Sequence, residues 1–151
     1  MRHEGHAATL QRREIVDQQE LLRAPRVLLA EDDGEFRKLL AGILRKNGFD
    51  VIEAKDGADL IATIEALSTE PSAAQPDVIV SDIRMPGYTG LDVLWGLRKG
   101  NCAIPVILMT AFGTDETRVE ALRLGADTII SKPLNPETLV TMVRSFSSAG
   151  A

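Results

Sequence analysis

Residues 26–54 read RVLLAEDDGEFRKLLAGILRKNGFDVIEA, and this stretch decides the fold. Val27-Leu28-Leu29-Ala30 is a short continuous apolar run, the pattern of a strand buried on both faces. Phe36, Leu39, Leu40, Ile43 and Leu44 follow at spacings of 3, 1, 3 and 1, which is one face of a helix. Asn47-Gly48 ends that helix, and Asp50 to Ala54 reads as a second strand. Two strands joined by a helix must run parallel.

The rhythm continues downstream. Lys55-Asp56-Gly57 reads as a turn, and Ala58 to Leu67 as a helix with Leu60, Ile61, Ile64 and Leu67 on one face. Ser68 to Pro76 is a polar loop of more than average length. Val78-Ile79-Val80 is the third buried run, Met85 to Gly90 a Pro/Gly turn, Leu91 to Leu97 a helix and Pro105 to Met109 the fourth strand. Thr114 is the N-cap of the next helix, with Thr117 instead of Glu three positions on, so its capping box is incomplete. Gly125 closes that helix, and Thr128-Ile129-Ile130 is the fifth strand. Asn135 caps a last helix that has Pro136 in its first position and runs to about Phe146. Five such units in series predict an α/β fold: a doubly wound, five-stranded parallel sheet of order 2-1-3-4-5 with right-handed crossovers and helices on both faces. Ligands of such sheets bind outside the carboxyl ends of the strands, at the switch point between the first and third. Function is therefore expected just after Ala30, Val80, Met109 and Ile130.

Composition narrows the classes. The 151 residues suit one domain, of roughly 15 Å radius of gyration, with a core that needs no staples. Hydrophobic residues make up 44% and aromatics only 4%, so the core is aliphatic. A net charge of −5 argues against direct nucleic-acid binding, which needs a basic footprint. The single cysteine, Cys102, excludes an internal disulfide and a cysteine-based zinc site. Apolar runs are too short for a membrane span, and Met1 to Thr9 lacks the apolar region of a signal peptide, so a reduced, cytoplasmic protein is expected. Met1 to Ala24 stands apart as an N-terminal extension with balanced charge. Its Leu10, Ile15, Val16, Leu21 and Leu22 make no clean stripe. It reads as a frayed helix or tail, with a docking or dimer helix as the alternative.

Three carboxyl-bearing positions, Glu31, Asp32 and Asp82, converge at the strand ends with the Thr110 hydroxyl and the Lys132 ammonium. Asp33, next in line, fits the N-cap of the following helix. Taken singly, each of these residues has a structural explanation; the constellation is more specific than its parts. Two carboxylates about 4 Å apart repel by roughly 4 kcal/mol at an effective dielectric of 20. Three cannot all stay ionised without a cation or a raised pKa. An oxygen-only donor set suits a hard divalent ion, Mg2+ or Mn2+. Such a clamp beside a lysine and a hydroxyl is also an anion trap, drawing a phosphoryl group to Asp82 as nucleophile.

The stretches RVLLAEDDGEFRKLL, DVIVSDIRMPGYTGLDVL, VILMTAFG and GADTIISKPL together resemble the receiver domain of two-component response regulators, over about Arg26 to Phe146. The resemblance implies the flavodoxin-like order already read from the βα rhythm, with a receiver over 25–147 and a short tail over 148–151. It implies that Asp82 is the phosphoacceptor, that Asp32 is the direct metal ligand with Glu31 acting through water, and that Arg84 supplies its backbone carbonyl to the metal. Thr110 resembles the switch hydroxyl and Lys132 the phosphoryl-binding lysine, and the Lys132-Pro133 bond is a candidate for the cis form. The family's usual Tyr or Phe three residues before that lysine is Ile129 here, which cannot make the inward ring swing. Arg84 and Phe112 stand where the family tunes dephosphorylation. The implied donor is a sensor histidine kinase or a histidine phosphotransfer protein. The implied docking surface is the Phe36–Leu44 helix with the loop after Lys132, and the output is an unidentified protein target. With only Ser147 to Ala151 after the last helix, the expectation is a stand-alone signalling receiver, not an enzyme beyond its own phosphorylation and dephosphorylation.

Three rivals are weighed against this. A pseudo-receiver would use the fold as a phosphorylation-independent scaffold; Ile129 and the N-terminal extension favour it, and the intact acidic, hydroxyl and lysine set opposes it. An aspartyl-phosphate phosphatase usually has a second carboxylate two residues after the nucleophile, where this chain has Arg84. A flavodoxin-type cofactor binder has a phosphate loop after the first strand, where Glu31-Asp32-Asp33 would repel the phosphate.

Overall fold

A computed structural model describes residues 23–71, 75–111 and 113–148. Most of the N-terminal extension, Phe112 and residues 149–151 of the tail lie outside the described residues.

The strands are β1 (Arg26–Ala30), β2 (Asp50–Ala54), β3 (Val78–Asp82), β4 (Val106–Thr110) and β5 (Thr128–Ser131). They form one sheet of order β2-β1-β3-β4-β5, and each adjacent pair is parallel. The helices are α1 (Gly34–Lys46), α2 (Gly57–Ser68), α3 (Gly90–Lys99), α4 (Asp115–Arg123) and α5 (Pro136–Ser148). This is the flavodoxin-like architecture read from the sequence.

Alternation along the strands divides the core. Val27, Leu29, Val78, Val80, Ile107 and Met109 pack against Leu40, Ala41 and Leu44 of α1 and Leu139, Val140 and Val143 of α5. Leu28, Ala30, Ile79, Val106 and Leu108 face the other way, onto Leu60 of α2, Val93, Leu94 and Leu97 of α3 and Ala121 of α4. β3 and β4 are buried along their whole length, and each opens on a continuous apolar run, Val78-Ile79-Val80 and Val106 to Met109, before its polar end. Each fully buried Leu or Ile contributes about 1.5–3 kcal/mol relative to exposure.

The helix starts hold the loops that carry the site. Asp33 Oδ1 accepts the N–H groups of Glu35 and Phe36 at 3.1 and 3.2 Å, so Asp33 is the N-cap of α1. Gly48, at φ 91°, follows the C-cap Asn47. α3 begins one residue before the expected Leu91 because Thr89 and Asp92 form a full capping box: Asp92 N–H to Thr89 Oγ1 is 3.1 Å, and Thr89 N–H to Asp92 Oδ2 is 2.9 Å. At α4 the Thr114 hydroxyl accepts the Thr117 N–H at 3.1 Å, and the two threonine hydroxyls pair at 2.9 Å where a box would place a carboxylate. Gly57 and Gly90 are required by close approach: a Cβ would stand 2.0 Å from the Tyr88 carbonyl oxygen at Gly57 and 2.5 Å from the Asp82 carbonyl oxygen at Gly90. The missing Cβ lets the Tyr88 backbone pass close to Gly57 and the end of β3 pass close to Gly90.

Candidate functional site

Register sets the site. Ala30 pairs with Ser81, Asp82 with Met109 and Thr110 with Ser131, so the residues at or just beyond these strand ends share one rim. Glu31 follows β1 with its backbone N–H held by the Ala54 carbonyl at 3.1 Å, and its side chain is only 1% exposed. Asp82 ends β3 and Thr110 ends β4, both buried. Asp32 is exposed. One oxygen from each of Glu31, Asp32 and Asp82 lies within 4.8 Å of the others.

Lys132 closes the group. Its Nζ donates to Glu31 Oε1 at 2.6 Å and to Asp82 Oδ2 at 3.1 Å. Its backbone N–H donates to the Thr110 carbonyl at 2.7 Å, which fixes where the side chain begins, and the Lys132-Pro133 peptide bond is cis. The Phe36 ring lies against the same ammonium, with its centroid 4.9 Å from Nζ.

The electrostatics follow from burial. Burial pushes the Glu31 carboxyl up from 4.5 to about 7; the adjacent Asp82 adds to the rise and Lys132 opposes it. Burial also pulls the Lys132 ammonium down, but the Glu31 and Asp82 carboxyls outweigh that and its pKa lies above the ordinary value. Glu31 Oε2 is buried and has no hydrogen-bond partner among the described residues. A buried acceptor of this kind costs about 1–3 kcal/mol unless a proton, a donor or a positive charge meets it, and the raised Glu31 pKa is the first of these.

Other expected residues fall around this centre. Arg84 stands two positions beyond Asp82 in the exposed part of the 83–89 loop. Asp33 caps α1 and is not one of the grouped carboxylates. Ile129 is 9% exposed and packs in the cluster with Leu108 and Ala121, filling its site with aliphatic volume. Beside it, the Arg118 guanidinium of α4 bonds the Ser131 hydroxyl and reaches the Ile129 carbonyl at 3.5 Å. Neither the Arg118 contact nor the Phe36 contact is readable from the sequence. Each joins residues from different elements, and the local pattern marks Phe36 only as part of an apolar helix face.

Residues 27–144 match the family model of the response regulator receiver domain. This chain belongs to that family. The receiver is 34% identical over 124 residues to the Escherichia coli phosphate regulon transcriptional regulatory protein PhoB, covering 81% of this chain and 51% of PhoB. Among solved structures it superposes on the receiver domain of Francisella response regulator 1452 with a TM-score of 0.75 and 31% identity, over 84% of this chain and 99% of that one. It superposes on the Vibrio cholerae chemotaxis protein CheY4 with a TM-score of 0.72 and 28% identity, over 82% and 98%. The receiver spans about half the length of the curated relatives it matches. Among the described residues, no helix is long and apolar enough to cross a membrane.

Receivers of two-component systems hold Mg2+ at an acidic cluster, and the donors here fit that ion. They are all oxygen, they lie close enough to share one cation, and the orphaned Glu31 Oε2 is an acceptor suited to a metal-bound water.

Proposed function

We propose that this receiver accepts a phosphoryl group on Asp82 from a phosphohistidine donor and passes the signal on by protein–protein contact or by relaying the group. The observation that carries the reading is the Lys132 ammonium bonded to both Glu31 and Asp82 at a buried strand end, with one Glu31 oxygen left over. A carboxylate oxygen of Asp82 attacks phosphorus. The bond from phosphorus to the donor nitrogen breaks with its electron pair going to that nitrogen, and the imidazole, protonated on its other ring nitrogen, leaves neutral. Asp82 is 6% exposed, which keeps bulk water away from the acyl phosphate. Lys132 neutralises oxygens of the transferred group, and the Thr110 hydroxyl donates to one of them. Asp32, Asp82 and the Arg84 backbone carbonyl would hold Mg2+ or Mn2+, with Glu31 acting through water, and the ion would supply positive charge for the transferred oxygens.

The donor is a sensor histidine kinase or a histidine phosphotransfer protein, met in the cytoplasm. The receiver's own contacts are to proteins and not to nucleic acid, in keeping with the net charge of −5. Its chemistry is confined to gaining and losing its own phosphoryl group.

The test is intact mass after incubation with acetyl phosphate, with and without Mg2+, on the wild-type chain and on Asp82→Asn. One Mg2+-dependent phosphoryl addition, absent in the variant, is the expected result. No addition to the wild type would transfer the reading to a phosphorylation-independent scaffold, the use of the fold that the buried Ile129 favours.

A further inference from the structure

The Lys132 ammonium has three N–H donors, and two of them go to Glu31 and Asp82. The face of Phe36 covers another side of it, 4.9 Å from Nζ to the ring centroid. The Lys132 side chain is accordingly only 19% exposed. From this geometry we infer that Phe36 is a positioning residue for phosphoryl uptake: its ring holds the Lys132 ammonium over the acidic pocket. This rests on the reading of Asp82 as the phosphoacceptor.

The ring is itself held in place. Phe36 lies in the first turn of α1, where its N–H is bonded to the N-cap Asp33 at 3.2 Å. Arg37, the next residue, donates to the Glu31 carbonyl at 2.8 Å and to Glu53 Oε1 at 3.3 Å. The start of α1 is thus tied to the backbone of the acidic residue whose side chain Lys132 also binds. A lysine stem has four rotatable bonds, and a free ammonium spends its time turned toward water. An aromatic face opposes that in two ways. It attracts the cation through its quadrupole, and it excludes water from one side, which strengthens the pull of the ammonium on incoming phosphoryl oxygens. Preorganised charge of this kind lowers the barrier without reorganisation during the reaction.

The rival is that Phe36 only fills space, since it also packs against the α1 and α5 side of the core. Phe36→Leu keeps apolar volume and loses the π face, whereas Phe36→Trp keeps the face. The measurement is the second-order rate constant for phosphoryl uptake from acetyl phosphate in Mg2+, followed by intact mass, with Tm recorded for each variant. Phe36→Leu is expected to lower the rate constant about three- to tenfold, and Phe36→Trp to restore it. If Phe36→Leu does not fold, Phe36→Met, whose flexible chain refits the core, serves as the variant without a ring. A labelled wild type with the same rate constant across the series, or rates that follow Tm and not the ring, would overturn this inference alone. An unlabelled wild type would overturn the reading of Asp82, and this inference with it.

Discussion

The two ends of the β-sheet handle charge in opposite ways. At the amino end, each carboxylate is matched. Asp77 takes two bonds from the Arg23 guanidinium at 3.1 Å and one from the Arg26 N–H at 2.7 Å. Asp127 accepts from the Arg98 guanidinium at 3.1 Å and from the Val106 N–H at 2.8 Å. Arg98 spends its remaining donors on the carbonyls of Gly125, Cys102 and Ile104, stitching α3 to the entrances of β4 and β5. At the carboxyl end, Glu31 and Asp82 lean on the same ammonium, and one Glu31 oxygen has no partner among the described residues. Satisfied pairs at one end hold the strands together. Incomplete satisfaction at the other leaves a buried carboxyl that takes up positive charge, as a proton or as a cation.

The comparison breaks most visibly in reactivity. Asp82→Asn should take phosphoryl labelling from one group to none, while Arg98→Ala, at the far end, should label to the same extent as wild type. Intact mass on both variants checks this. Equal loss in both would mean that the ends are not functionally separate.

The next effect is in pH. The Glu31 pKa is raised in the folded state, so the stability linked to it is full below about 4.5 and is lost as pH rises through about 7. The loss is on the order of 3 kcal/mol at 1.36 kcal/mol per pKa unit. In chelator, denaturant midpoints should therefore fall across that window for the wild type and stay flatter for Glu31→Gln. At the amino end, Arg98→Ala should lower stability by about 2 kcal/mol, through lost bonds to a charged donor. Urea unfolding of that variant measures it. The smallest effect belongs to the surface. Arg26 Nε and Asp50 Oδ2 are 2.8 Å apart at the sheet edge, with Asp50 half exposed, and Asp50→Ala should cost less than about 1 kcal/mol.

Legibility in the sequence followed range along the chain. VLLA, VIV and VILM announce strands buried on both faces because each needs only its own residues to be read. The rim residues Glu31, Asp32, Asp82, Thr110 and Lys132 were placed because a parallel sheet brings strand ends together whatever the side chains do. Boundaries fared less well. The start of α3 turns on the Thr89–Asp92 reciprocal cap, which uses Asp where Glu or Gln is the usual signal. The roles of Gly57 and Gly90 depend on backbone brought against them from outside their own helices, at Tyr88 and at Asp82–Ile83. Phe36 and Lys132 meet across 96 positions, and Arg98 with Asp127 across 29, so no local pattern marks either contact. The orphaned Glu31 oxygen is likewise a property of the folded site alone.

The central claim is that the carboxyl end is built to receive a cation and then a phosphoryl group. Its most direct test is the Tm at pH 8 as Mg2+ is added to the chelator-treated chain, for wild type and for Asp32→Asn. A ligand at about 100 times its Kd stabilises by about 2.7 kcal/mol, which for a chain of this size raises Tm by roughly 5–10 °C. A saturable rise of that size in the wild type, lost in Asp32→Asn, is the expected result. A flat wild-type Tm, or an equal rise in both, would contradict the account.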